Sequence, residues 1–159
     1  MKKKIRHMQR SEKKTIVVFS PDVDVARNLS LFLENDFDVV CESRLKRLAE
    51  TIVQTAPALV LADVYPMPSD IRKLLAVLEQ RSSGVLLVLL HVYRNWAPEV
   101  EEAIHKAADH VFYKPVNVEL LSTRIAEFVN QHESVMELTA SKKVRAANQE
   151  SRDCSGGSI

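Results

Sequence analysis

The chain has 159 residues, enough for one domain of ordinary size. It is 46% hydrophobic and 27% charged, which is close to the average of a globular protein and excludes a wholly disordered chain or a fibre. The formal net charge is +1, yet residues 1–14 hold seven Lys or Arg and one acid. A basic leader therefore precedes a mildly acidic body. The net charge argues neither for nor against an anionic partner, and we do not expect nucleic acid to be one.

The counts of cysteine and glycine exclude several kinds of site. Two cysteines, Cys41 and Cys154, are too few for a disulfide framework or a metal knuckle. Of three glycines, Gly156 and Gly157 lie near the end of the sequence, and only Gly84 lies in the predicted folded part. Loops that cradle nucleotide phosphates need several glycines, so P-loop and dinucleotide-binding modes are excluded.

No targeting segment is visible. The basic leader is not followed by the apolar stretch or the small-residue cleavage site of a secretory signal. The longest apolar run, residues 85–90, is far shorter than the roughly 20 residues that cross a bilayer. We therefore expect a cytoplasmic protein without a membrane span.

Short apolar runs alternate with helical patterns along the chain. The β-branched and continuously apolar runs predict five strands, at residues 15–19, 37–41, 58–62, 85–90 and 109–113. Strands that are apolar along their whole length and are separated by helices belong in a parallel sheet covered on both faces. The fold class predicted is α/β, with a doubly wound, five-stranded parallel sheet of the flavodoxin-like (βα)5 kind.

Apolar residues at helical spacing predict the helices between these strands. The first helix has Ser20 as its N-cap and Pro21 at its first position. The second, over residues 45–54, turns Leu48, Ile52 and Val53 inward. Helices also follow the third, fourth and fifth strands, and the third turns one apolar face inward, formed by Ile71, Leu74, Leu75 and Leu78.

Three regions differ in composition. Residues 1–13 form the basic leader, which we expect to be disordered, and residues 14–131 form the folded domain. Residues 132–159 have little apolar periodicity and end in Ser and Gly, so this tail is predicted to be mostly disordered beyond a short helical extension.

Polar side chains follow the predicted strands at their carboxyl ends, where ligands bind in sheets of this kind. Ser20 and Asp22 follow the first strand, Asp63 ends the third, His91 follows the fourth and Lys114 follows the fifth.

The segment Leu59–Asp63, the pair Lys114–Pro115 and the (βα)5 order together resemble the receiver domain of two-component response regulators. The resemblance covers about residues 14–131. It implies that Asp63 is the phosphoacceptor of a histidine kinase and that Lys114 contacts the phosphoryl group. It also implies an acidic pair after the first strand that holds Mg²⁺, a hydroxyl after the fourth strand and an aromatic residue in the fifth.

The sequence departs from the family pattern at three positions. The acidic pair aligns with Ser20 and Pro21, neither of which has a carboxylate, so Mg²⁺ binding is expected to be weak and to depend on Asp22 and Asp63. His91 stands at the hydroxyl position and is the candidate for a second phosphoryl contact. Val111 stands at the aromatic switch position.

These departures predict a pseudo-receiver, not an enzyme, that signals by protein–protein interaction with weak or no phosphorylation at Asp63. The alternative is a working receiver that uses Asp22 as its substitute metal ligand. A third hypothesis is a small flavodoxin-like enzyme that uses Asp63, His91 and Lys114 for acid–base chemistry.

The partners implied by the resemblance are a histidine kinase or a downstream signalling protein. The family uses the surface of the fourth helix, fifth strand and fifth helix, which also predicts a homodimer through this face. In this sequence, the candidate partner surface includes Val111 in the fifth strand. It also includes Tyr93 and Trp96, because aromatic residues are enriched at interfaces.

Overall fold

The computed structural model describes residues 12–93, 95 and 97–153, with side chains as far as Val144. Five strands alternate with five helices in this part of the chain. The strands are β1 (Lys14–Phe19), β2 (Phe37–Glu42), β3 (Leu59–Asp63), β4 (Leu86–His91) and β5 (His110–Tyr113). The helices are α1 (Val23–Leu33), α2 (Leu45–Thr55), α3 (Pro68–Leu78), α4 (Pro98–Ala107) and α5 (Val118–Asp153).

All five strands are parallel and form one sheet in the order β2-β1-β3-β4-β5. The doubly wound parallel sheet predicted from the apolar runs is confirmed. Its register pairs Asp63 with Leu90 and His91 with Tyr113, so the ends of β3, β4 and β5 lie at one edge. This carboxyl edge carries the polar residues that the sequence singled out.

The core is built from strands that are apolar on both faces. Ile16–Phe19 and Leu59–Ala62 are inaccessible to solvent, as a sheet covered on both faces requires. One large buried cluster joins these strands to α2, α3 and α4, and it contains the whole predicted inner face of α3.

Two predictions about the helices are wrong. The N-cap of α1 is Asp22 and not Ser20, because the Asp22 carboxylate accepts hydrogen bonds from the amides of Asp24 and Val25 while the Ser20 hydroxyl is used elsewhere. Val53 is 80% exposed, since the face of α2 that meets the core runs through Leu48 and Ile52 and the next residue lies about 100° around the helix.

The described chain divides after Val118 into two compact units, and the second consists of the rest of α5. In this second unit Leu121, Ile125 and Val129 recur along one helix face and are buried.

The tail differs from its prediction, because α5 continues to Asp153, beyond the short helical extension that was expected after Gln131. Residues 132–153 contain no Gly or Pro and include several Ala, Glu, Lys and Arg, which have high helix propensity. The disorder predicted for the leader falls largely on residues 1–11, which lie outside the described residues, as do Cys154 and Trp96. None of the helices within the described ranges has both the length and the apolar character that a membrane crossing requires.

Candidate functional site

The carboxyl edge of the sheet brings Asp63, Lys114 and Ser20 into contact. Asp63 ends β3 and is 6% exposed. Lys114 Nζ lies 2.5 Å from Asp63 Oδ1, although the two residues are 51 positions apart. The predicted proximity of these two side chains is thus present in the structure.

Ser20, which follows β1, forms a hydrogen bond with the second oxygen of the same carboxylate. Its hydroxyl donates to Asp63 Oδ2 at 2.9 Å and accepts a hydrogen bond from the amide of Asp22 at 3.1 Å. Both carboxylate oxygens of Asp63 therefore have a donor from the protein itself, one charged and one neutral. The sequence placed Ser20 at this edge and read it as a helix cap, so its contact with Asp63 was missed.

A cavity of about 310 Å³ opens beside this pair. The four candidate site residues Asp22, Asp63, His91 and Lys114 all line it. Its remaining wall is mainly apolar and is formed by Pro21, Val25, Val64, Tyr65, Pro66 and Val92.

The residues at this edge supply few of the ligands that a magnesium site requires. Mg²⁺ requires an octahedral set of oxygen ligands that usually includes one or two carboxylates. Here Ser20 supplies a neutral hydroxyl that is already bonded to Asp63, and Pro21 has no side-chain ligand. The Oδ1 atom of Asp22 accepts the first amides of α1. Within the described ranges, no group of three His, Cys, Asp or Glu residues is arranged to hold a metal ion.

His91, the candidate for a phosphoryl contact, is the last residue of β4 and is 2% exposed. Its Nε2 atom lies 2.8 Å from Oε1 of Glu101, a buried residue of α4. The hydrogen-bond partner of this ring nitrogen is therefore Glu101 of α4, and not Asp63. Glu101 was missed by the sequence analysis, because an acid in the first turn of a helix is common as a partner of the helix dipole.

The end of β5 adds an aromatic group that the sequence did not single out. The Tyr113 hydroxyl lies 2.5 Å from Nε2 of His105, and the Tyr113 ring lies 5.9 Å from the exposed ring of Tyr93 in an edge-to-face arrangement. Burial, followed by the charge of Glu101 and the proximity of Tyr93, raises the pKa of Tyr113 above its ordinary value.

The candidate partner residues have different surroundings. Tyr93 is 61% exposed and accessible to a partner. Val111 is partly buried and packs against the core cluster, so less of its side chain is accessible to a partner. Tyr113, two residues further along β5, is the more exposed side chain.

Glu42 anchors the neighbouring end of β2. Its buried carboxylate accepts the amides of Ser43 and Arg44 and the hydroxyl of Thr51. Burial raises the pKa of Glu42, but the hydrogen bonds from Arg44 and Ser43 and the charges of Arg44 and Arg47 outweigh burial and hold this pKa below its ordinary value. The Glu42 carbonyl also accepts the amide of Ser20 at 3.3 Å, which helps to position the serine.

Comparisons with known proteins support the architecture. No protein-family model matches the sequence, and no curated protein shows significant similarity to it. Solved structures do match, among them a response regulator receiver modulated diguanylate cyclase from Pelobacter carbinolicus. It is 26% identical, with a TM-score of 0.62, over 78% of this chain and 98% of the other.

Two further structures show the same likeness at lower identity. A CheY-like response regulator receiver domain protein from Methanospirillum hungatei JF-1 is 22% identical, with a TM-score of 0.66, over 77% of this chain and 98% of its own. The signal receiver domain of a putative Luxo repressor protein from Vibrio parahaemolyticus is 15% identical, with a TM-score of 0.65, over 80% and 97%. This chain has the receiver-domain fold of two-component response regulators.

Proposed function

We propose that the chain is a pseudo-receiver, a signalling domain that acts by protein–protein interaction with weak or no phosphorylation at Asp63. One observation carries this proposal: the hydroxyl of Ser20 donates to Asp63 Oδ2 at the place where the family has its acidic pair. The nucleophilic carboxylate is thereby satisfied by neutral and cationic groups of the protein, without a second carboxylate to recruit a metal ion.

The chemistry of phosphoryl transfer explains why this difference matters. A carboxylate and a phosphoryl group are both negative, and a divalent cation normally neutralises the charge that accumulates between them. Lys114 supplies one positive charge, but it is already paired with Asp63 Oδ1. Because Ser20 and Pro21 supply no carboxylate for magnesium beside it, Asp63 is a poor phosphoacceptor in this proposal.

The proposed setting is cytoplasmic two-component signalling without enzymatic activity, with a histidine kinase or a downstream signalling protein as partner. Exposed aromatic side chains at the ends of β4 and β5, Tyr93 and Tyr113, support a contact with such a partner. The homodimer through the fourth helix, fifth strand and fifth helix stays a prediction.

One observation favours a second candidate function, that of a working receiver. Asp22 lines the same cavity as Asp63 and Lys114, and it is exposed. In this alternative, Asp22 supplies the metal ligand that Ser20 and Pro21 lack.

Mass spectrometry after incubation with acetyl phosphate and Mg²⁺ tests the proposal. We expect little or no phosphoryl adduct on the wild-type chain, and a clear increase in the double variant Ser20→Asp/Pro21→Asp, which restores the acidic pair. Asp63→Asn in that background is the matched control, and it should abolish the adduct. A nearly stoichiometric adduct on the wild type that disappears in Asp22→Ala would overturn the proposal in favour of the working receiver.

A further inference from the structure

Two side-chain pairs on consecutive turns tie α4 to the ends of two strands. Glu101 Oε1 contacts His91 Nε2 at the end of β4, at 2.8 Å. One turn later on the same helix, His105 Nε2 contacts the Tyr113 hydroxyl at the end of β5, at 2.5 Å. Residues four positions apart lie on one helix face, so both pairs act on the same side of α4.

The strand residues of these two pairs are themselves neighbours. His91 and Tyr113 are partners in the β4–β5 register, and their rings lie 6.1 Å apart. The ring of His105 also lies 6.1 Å from that of Tyr113. The four side chains form one contiguous group, which we call the α4 clasp: His91, Glu101, His105 and Tyr113.

The inner pair of the clasp, His91 with Glu101, is buried, and separating it is unfavourable in free energy. His91 is 2% exposed and Glu101 is 8% exposed, so separating them leaves polar atoms buried without this hydrogen bond. The outer pair, His105 with Tyr113, is exposed and therefore contributes less. The hold on α4 comes mainly from Glu101 and His91.

His91 connects the clasp to the candidate site. It lines the cavity beside Asp63 and Lys114, and its carbonyl accepts the amide of Lys114 at 2.8 Å. A phosphoryl group on Asp63 could form a hydrogen bond with Nε2 of His91 only if this nitrogen gave up its hydrogen bond with Glu101. A ligand shifts a conformational equilibrium only by its differential affinity for the two states, and the buried pair opposes such a shift.

We propose that the α4 clasp holds α4 in one orientation on β4 and β5, whatever the state of Asp63. This inference deepens the proposed function, since a surface held in this way suits an interaction that does not depend on phosphorylation. The resemblance implies a hydroxyl after the fourth strand and an aromatic residue in the fifth as the switch. In this proposal the side chains of the clasp form a fixed network instead.

Hydrogen exchange of the full chain, without any phosphodonor, tests the clasp. In Glu101→Ala we expect the amides of residues 98–107 to exchange roughly tenfold faster than in the wild type, with little change in α2 and α3. Glu102→Ala, a neighbouring exposed position on α4, is the matched control and should leave exchange unchanged. Unchanged exchange of α4 in Glu101→Ala, or an equal increase throughout the sheet, would overturn the proposal.

A second variant keeps the test decisive if Glu101→Ala does not fold. Tyr113→Phe removes only the hydroxyl of the outer pair, and it should accelerate exchange at the C-terminal half of α4 by a few-fold. No acceleration there would contradict the clasp. The outcome is separable from that of the proposed function, because exchange without phosphodonor is independent of whether Asp63 accepts a phosphoryl group.

Discussion

The hydroxyl of Ser20 lies 2.9 Å from Oδ2 of Asp63 and donates a hydrogen bond to it. Both residues are buried, and Lys114 contacts the other carboxylate oxygen. A buried carboxylate needs such partners, because an isolated charge inside a protein is strongly unfavourable. Asp63, at the end of β3, therefore receives a donor for each carboxylate oxygen from the ends of two other strands, β1 and β5.

Replacement of Ser20 by alanine should destabilise the fold. The Ser20→Ala variant leaves Asp63 Oδ2 buried without its donor, so we expect the free energy of unfolding to fall by about 1–2 kcal/mol. Chemical denaturation measures this change. Ser69→Ala, at an exposed position of α3, is the control and should change stability by less than about 0.5 kcal/mol. A Ser20→Ala variant as stable as the control would show that the hydrogen bond to Asp63 adds nothing.

Magnesium affinity should increase when the acidic pair is restored. We expect the wild-type chain to bind Mg²⁺ weakly in calorimetry, because Ser20 and Pro21 supply no carboxylate. Ser20→Asp/Pro21→Asp adds two carboxylates beside Asp63, and its affinity should rise at least about tenfold, as expected when ligand charge increases. Tight binding by the wild type that survives Asp22→Ala would contradict this account of the site.

Most of the fold could be predicted from the sequence, because burial on both faces leaves continuous apolar runs that cannot be confused with exposed strands. The strand ends at Asp63 and His91 and the inner face of α3 follow from this pattern. The length of the last helix did not follow, since residues 132–153 have little apolar periodicity and their helical structure depends on local propensity.

The site was predictable only in part. Asp63 and Lys114 could be paired because both stand at the carboxyl ends of strands in one parallel sheet and match the positions that the receiver resemblance implies. Glu101 could not be assigned to His91, since their contact depends on how α4 rotates over β4, and sequence spacing does not fix that rotation. Ser20 was misread for a different reason: serine and aspartate cap helices about equally well, and the choice between Ser20 and Asp22 depended on the tertiary contact with Asp63.

The surface of α4 and β5 should not respond to a phosphodonor. Val111 packs against the core and has no aromatic ring to rotate, and His91 is bonded to Glu101. We therefore expect the methyl resonances of Val100, Ile104 and Val111 to keep their positions when acetyl phosphate and Mg²⁺ are added. The same titration of Ser20→Asp/Pro21→Asp shows whether phosphorylation alone is enough to move these signals. Large shifts in the wild type that are absent from Asp63→Asn would reveal a switch and contradict the pseudo-receiver proposal.

Glu42 should stabilise the fold at neutral pH and lose this effect as the pH falls. The hydrogen bonds from the amides of Arg44 and Ser43, together with the nearby arginine charges, hold the pKa of the folded-state carboxyl below its ordinary value of 4.5, although burial opposes them. A lowered folded-state pKa stabilises the protein above the unfolded-state pKa, and this stabilisation is lost as the pH falls through the folded-state value.

Glu42→Gln should therefore reduce the free energy of unfolding by about 1–2 kcal/mol at neutral pH, where the charged acceptor is lost. In acid, once the wild-type carboxyl is protonated in both states, the difference between the two proteins should shrink toward zero. Urea denaturation across this pH range gives the difference directly, with Glu102→Gln as the exposed control. A stability difference that stays constant from neutral pH into acid would mean that Glu42 acts through packing and not through its charge.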